Sequence, residues 1–397
     1  MGKWASKSVF CIGFALAAGL GAGCSSADSP AGAEPTSAAD EQLMAGGMEE
    51  ISAIPFDDAA DPSLAQSGDH VHIAPTFGRE AMSAEALALG PNAANDEADA
   101  ADDPNTDMPA VDTSPEDGAA VQASADSTIG QASHNRPVLT YHGGPVMERQ
   151  NVYFIYYGNW SGTTRTRSLI HNFINALHYD NFNHSYWDGL GYKDHAGHVA
   201  ASKGVALKGA AGVGYPYGKS LKKSDIARVV HSVLNAGKFS PDSSGLYFVL
   251  TSGDVAVEGD STYCGWHNAQ TMDVRFLDNY NVTLNVKYGL IRSAKRGGCS
   301  EFGTPAHHSA TPNKDYVADS EVSVISHEMV EAMTDPDLNA WFDANGWENS
   351  DKCNFNFQSV RKVNGAYANL YDRHYKRWWL VQSQYRHNNA CGMGAAR

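Results

Sequence analysis

The sequence predicts an α/β fold, a mixed sheet with flanking helices, confined to residues 132–397. Three observations predict it. The runs Asn151–Tyr157 and Gly245–Thr251 are continuous, aromatic and β-branched, the pattern of strands buried on both faces. Apolar residues recur at helical spacing over about 164–178 (Leu169, Ile170, Phe173, Ile174, Leu177) and 224–234 (Ile226, Val229, Val230, Val233, Leu234). The composition also changes sharply near residue 131, where a long polar and acidic stretch gives way to aromatic, periodic sequence.

The N-terminus carries Lys3 and Lys7, an apolar run from Val9 to about Leu20, and then Gly21-Ala22-Gly23-Cys24. This reads as a bacterial-type export signal over residues 1–23, too short to cross a bilayer, which takes about 20 apolar residues. Small residues before Cys24 resemble a lipobox, so Cys24 is the predicted lipidation site and a lipid anchor the only predicted membrane attachment. The usual leucine three residues before the cysteine is replaced by Gly21, which keeps plain secretion as the alternative.

Residues 24–131 are rich in Ala, Asp, Glu, Ser, Pro and Gly, and read as a disordered acidic linker. From Ser25 to Gly130 there are 22 acidic residues against Arg79 alone, whereas the whole chain carries −16. Residues 131–397 hold 26 Lys/Arg and 23 Asp/Glu and are close to neutral, at +3. A domain with so small a charge excess and no basic stripe excludes nucleic acid as a partner. Gly212–Ser220 resembles a phosphate loop only superficially, because the glycine that motif requires at position 213 is Val213.

Cys264, Cys299, Cys353 and Cys391 remain in the domain, an even set that in an exported protein predicts two disulfides. Three pairings exist; nearest neighbours, Cys264–Cys299 and Cys353–Cys391, are expected. Within the domain, further strands are expected at Met272–Phe276, Val286–Ile291 and Trp378–Tyr385, while residues 179–217 are turn-rich and receive no element.

The segment Glu321–Pro336 carries the chemistry. Val322, Ile325, Met329 and Met333 mark a helix, and Asp335-Pro336 stops it. His327 and Glu331, four apart, share one face with Glu328 beside them. This is the zinc-protease helix His-Glu-x-x-His with glutamate in place of the second histidine, and it predicts a zincin-like metallopeptidase-type domain. His327 and Glu331 would hold zinc, and Glu328 would polarise its water as general base. The third ligand is expected at Glu348, seventeen residues beyond Glu331, with Asp337 and Asp351 as less favoured choices. One His with two Glu suits zinc less well than two His with one Glu, so calcium, manganese or no metal stand as alternatives. His267 and the His307-His308 pair are weaker ligand candidates, histidines of their kind being more often ordinary hydrogen-bonded or exposed residues. Of Tyr375, Trp378, Trp379 and Tyr385, a sugar-stacking set by composition, strand alternation sends at least half into the core.

Several segments in order, Tyr141-His-Gly-Gly-Pro145, Asn151–Ser161, Gly218–Leu221, Gly245–Ser252, Cys264-Gly-Trp-His267, Ser323–Glu328 with Glu331, Asn339-Ala-Trp341 and Leu380-Val-Gln382, resemble the EXORDIUM or phosphate-induced protein 1 family over about residues 138–391. The resemblance implies an extracellular protein and leaves the reaction open. By position, His327, Glu328 and Glu331 match the family's His-Glu-x-x-Glu segment, and Glu348 with Cys353 its Glu-x-x-Asp-x-Cys segment. Two functions are therefore expected in competition. One is an exported metal-dependent hydrolase acting on extracellular peptide or cell-wall material. The other is a non-catalytic wall- or glycan-binding module whose acidic helix is structural or holds calcium. The oligomeric state is left open.

Overall fold

The computed structural model describes residues 72–75, 137–179, 191–259, 263–277, 280–300, 302, 310–357, 360–363 and 365–393. The expected signal, Cys24 and the His307-His308 pair lie outside these residues, as does all of the expected linker except 72–75.

A six-stranded mixed sheet forms the centre. Its strands are β1 (His72–Pro75), β2 (Gln150–Tyr157), β3 (Val205–Gly212), β4 (Gly245–Thr251), β5 (Tyr263–Leu277) and β6 (Tyr280–Ile291), in the order β1-β5-β6-β4-β2-β3. β2, β3, β4 and β6 run parallel, while β5 returns antiparallel along β6 and β1 pairs antiparallel with β5. The helices are α1 (Thr164–Tyr179), α2 (Lys223–Asn235), α3 (Tyr316–Thr334) and a single turn, α4 (Asn349–Lys352).

Strand alternation sorts the core into two layers. Val152, Phe154 and Tyr156 of β2 and Leu246, Phe248 and Leu250 of β4 pack with α1 and α3. Tyr153, Ile155, Tyr157, Tyr247 and Val249 face the other way, onto α2. Because helices cover both faces, the central strands need no polar side, which is why they appeared in the sequence as unbroken apolar runs.

The expected α/β class, both helices, β2 and β4 are present, and both disulfides pair as expected, with Cα–Cα distances of 5.3 Å for Cys264–Cys299 and 5.7 Å for Cys353–Cys391. The structure departs from the sequence reading in three places. β3 lies within the stretch left unassigned, and Gly209 shows why: a Cβ there would sit 2.7 Å from Phe239 Cε1, so close packing demands small residues and erases the apolar signal. The single strand expected at Trp378–Tyr385 is two short ones, Arg377–Trp379 and Gln384–Tyr385, separated by the buried run Leu380–Ser383. Four residues of the stretch read as linker, His72–Pro75, form β1 at the sheet edge. Among the aromatic residues offered for sugar stacking, Trp379 and Tyr385 are buried, and Trp378 packs on Tyr371 with ring centroids 4.9 Å apart.

Candidate metal centre

α3 supplies the first half of the site. The Asp315 side chain caps its N-terminus by accepting from the Ala318 amide at 3.1 Å. At the other end Asp335 Oδ1 accepts from the Asn339 and Ala340 amides, each at 2.6 Å, and turns the chain back. Every residue from Val317 to Thr334 is buried, so the polar stripe His327–Glu328–Glu331 needs partners inside the protein.

α4 supplies them. Asp343 accepts from the Asn345 and Trp347 amides at 2.8 and 3.0 Å and so shapes the loop before it, and Asp343 Oδ2 accepts from Lys352 Nζ at 2.7 Å from within α4. The turn then docks on α3: Ser350 Oγ donates to the His327 carbonyl at 2.9 Å, and the Asp351 amide donates to Glu331 Oε1 at 3.0 Å. Glu348 and Asp351 are thereby aimed at the polar stripe. Gln382 also meets it, its Nε2 standing 2.7 Å from His327 Nδ1.

The third contribution comes from β5. Gly265 lets this strand pass so close to α3 that a Cβ would lie 2.8 Å from both Glu328 Oε1 and Val324 Cγ1. Two residues on, His267 enters the site, with Nε2 3.1 Å from Glu348 Oε2 and 4.0 Å from Glu331 Oε2. On the other side, His327 Nε2 is 3.0 Å from Glu331 Oε1 and 3.5 Å from Asp351 Oδ1. These atoms fall into two sets, His267–Glu331–Glu348 and His327–Glu331–Asp351, each with its ligand atoms within 4.8 Å of one another.

All six side chains, Glu328 included, are at most 2% exposed. Burial, reinforced by the Asp351 charge, raises the Glu331 carboxyl above its ordinary range; burial with the neighbouring carboxylates raises Glu348 well above it. Burial alone would lower the His327 imidazolium, but Glu331, Asp351 and Glu328 outweigh it and hold it well above its usual value. Four carboxylates and two imidazoles thus share a pocket in which they must either share protons or meet a cation.

The expected residues are therefore distributed in a particular way. His327 and Glu331 stand together; Glu348 is nearby but beside His267, and Asp351 takes the place next to His327. Asp337 is elsewhere, accepting from Asn285 Nδ2 at 2.9 Å and lying 3.6 Å from Lys287 Nζ. His267 was a weaker candidate in the sequence and belongs to the cluster. Its signal was available: it follows a disulfide cysteine by three residues on what becomes a strand, so its backbone is fixed and its side chain held to one face.

A family model described as the phosphate-induced protein 1 conserved region matches residues 139–376. The chain is similar to Protein EXORDIUM-like 5 of Arabidopsis thaliana, 30% identical over 235 residues that cover 53% of this chain and 61% of that protein. It is also similar to Protein EXORDIUM-like 3 of the same plant, 28% identical over 239 residues, covering 53% and 66%. Both matches span less than two thirds of the relative. No solved structure matches.

Proposed function

This chain belongs to the phosphate-induced protein 1 family, and on that premise we propose that it is an extracellular member whose buried His/carboxylate cluster holds a divalent cation, zinc by preference, in the service of zincin-like hydrolysis of peptide or cell-wall material. The observation that carries this reading is the convergence of buried ligand atoms on the two sides of Glu331, His327 Nε2 and Asp351 Oδ1 on one and His267 Nε2 and Glu348 Oε2 on the other, crowded together with no solvent around them. Buried polar atoms left in this state cost free energy unless a ligand satisfies them.

Imidazole mixed with carboxylate suits zinc, whereas calcium takes oxygen ligands throughout. Bound there, the ion would supply Lewis acidity and lower the pKa of a coordinated water towards neutrality. Glu331 is held in place by the Asp351 amide, and Gln382 orients His327 through the ring nitrogen that faces away from the site. Glu328, on the same helix turn and pressed against β5 at Gly265, is the carboxylate left to take a proton. Two disulfides support an oxidising, extracellular compartment, and among the described residues no helix is long and apolar enough to cross a membrane.

The depth of the cluster favours a second reading, in which the ion is structural and the domain binds wall polymer without cleaving it. Metal analysis of purified protein before and after chelation, with thermal unfolding, tests the shared premise. Retained zinc and a lower Tm after chelation are expected; no metal and an unchanged Tm would sink both metal readings. Glu328→Gln then separates them: the hydrolytic reading expects retained metal and lost turnover of peptide or wall fractions, and equal turnover defeats it.

A further inference from the structure

We propose that the centre takes two divalent ions bridged by the Glu331 carboxylate. This deepens the proposed function and rests on reading the cluster as a metal centre.

Glu331 presents its two oxygens to two different imidazoles. Oε1 lies 3.0 Å from His327 Nε2 and Oε2 lies 4.0 Å from His267 Nε2. Each imidazole then has a carboxylate of its own, Asp351 for His327 at 3.5 Å and Glu348 for His267 at 3.1 Å. Each half is one nitrogen, one private carboxylate oxygen and one oxygen of the shared Glu331. Ligand atoms on a tetrahedral zinc with bonds of about 2.0–2.2 Å stand roughly 3.3–3.6 Å apart. The four distances, 3.0 to 4.0 Å, bracket that span on both sides of Glu331. Two-ion hydrolytic centres hold their ions ~3.5–4 Å apart, a separation that one bridging carboxylate can serve.

Charge leads to the same count. Metal-bound imidazoles are neutral and carboxylate ligands ionised. Glu328, Glu331, Glu348 and Asp351 together carry four negative charges in a pocket where each is at most 2% exposed. Two divalent ions neutralise them. With a single ion, two of the four charges would have to be cancelled by protons on the carboxyls or imidazoles instead. The supports are duplicated as well. Cys264–Cys299 anchors the strand three residues before His267, and Cys353–Cys391 anchors the chain two residues after Asp351.

The test is metal stoichiometry on the full-length protein, loaded with zinc, desalted and measured by mass spectrometry, with manganese loading read in parallel by electron paramagnetic resonance. Two zinc ions per chain and a spin-coupled manganese signal are expected. Asp351→Asn and Glu348→Gln, checked for folding by circular dichroism, should each drop to one ion and show an isolated six-line signal. One zinc per wild-type chain with uncoupled manganese overturns the two-ion inference and leaves the metal reading intact. No retained metal removes both. Should either variant fail to fold, the wild-type stoichiometry and coupling still decide.

Discussion

At Gly265 β5 passes close against α3, and the position has little tolerance. A Cβ there would press on Glu328 Oε1, on Val324 Cγ1 and, at 3.0 Å, on the Leu290 carbonyl. Gly265→Ala should therefore cost about 1–3 kcal/mol, read as a lower urea midpoint at unchanged m value; a variant as stable as wild type would show that the strand can withdraw from the helix. Glu321, two turns N-terminal to His327, has a different role. Burial pushes its carboxyl up to about 8, against a partial opposing effect from the Ala294 amide that it accepts. Since the folded value lies above the ordinary 4.5, the associated stability is fully present below about pH 4.5 and is lost as the pH rises towards 8. Urea unfolding of Glu321→Gln at pH 5 and pH 8 should show a shallower loss than wild type by a few kcal/mol, and parallel losses would contradict a neutral buried Glu321.

At the scale of the element, α4 is too short to hold itself together and is fixed by what it contacts. Its ion pair is internal: Lys352, 3% exposed, donates to Asp343 and to the Pro137 carbonyl. Asp343→Ala leaves that ammonium buried and unpaired and also loosens the loop amides that Asp343 receives, so a loss of about 3–5 kcal/mol is expected by chemical denaturation. A loss below about 1 kcal/mol would mean that Lys352 reaches water by a path the fold does not display. α3 contrasts with it. Its apolar positions recur at helical spacing and it is stopped before Pro336, features that are local and legible in the sequence, whereas its first turn, capped by Asp315, starts before the segment the sequence marked. β3 was not legible, because the demand for small residues arises from Phe239, which lies beyond α2 in the chain.

Over the whole molecule, the two disulfides tie the parts that carry the site, β5 through Cys264 and the chain after α4 through Cys353. Closing Cys353–Cys391 spans 38 residues and fixes the segment after α4 against the C-terminal strands. Replacing both cysteines with serine should cost about 2–5 kcal/mol and, because Glu348 and Asp351 lie just upstream, should also weaken metal retention in a chelator competition. Unchanged retention would detach the site from that constraint. The parallel strands of the sheet, by contrast, depend on apolar burial on both faces and carry no side chain of the cluster.

What the sequence determined by itself was everything set by local periodicity and residue chemistry: the α/β class, β2, β4, the three long helices, and the face of α3 that carries His327, Glu328 and Glu331. Four-residue spacing on a helix places His327 and Glu331 together whatever the rest of the chain does. Only the tertiary structure decided which residues join them. His267 reaches the cluster through the register of β5 against β6, His267 opposite Gly289, and through the close approach that Gly265 permits. Glu348 and Asp351 reach it because α4 docks against α3 through Ser350 and the Asp351 amide. These contacts join positions about twenty to eighty residues apart, and no period within the sequence encodes a separation of that kind; it is fixed by long-range packing, in which the burial of apolar faces brings the polar groups together.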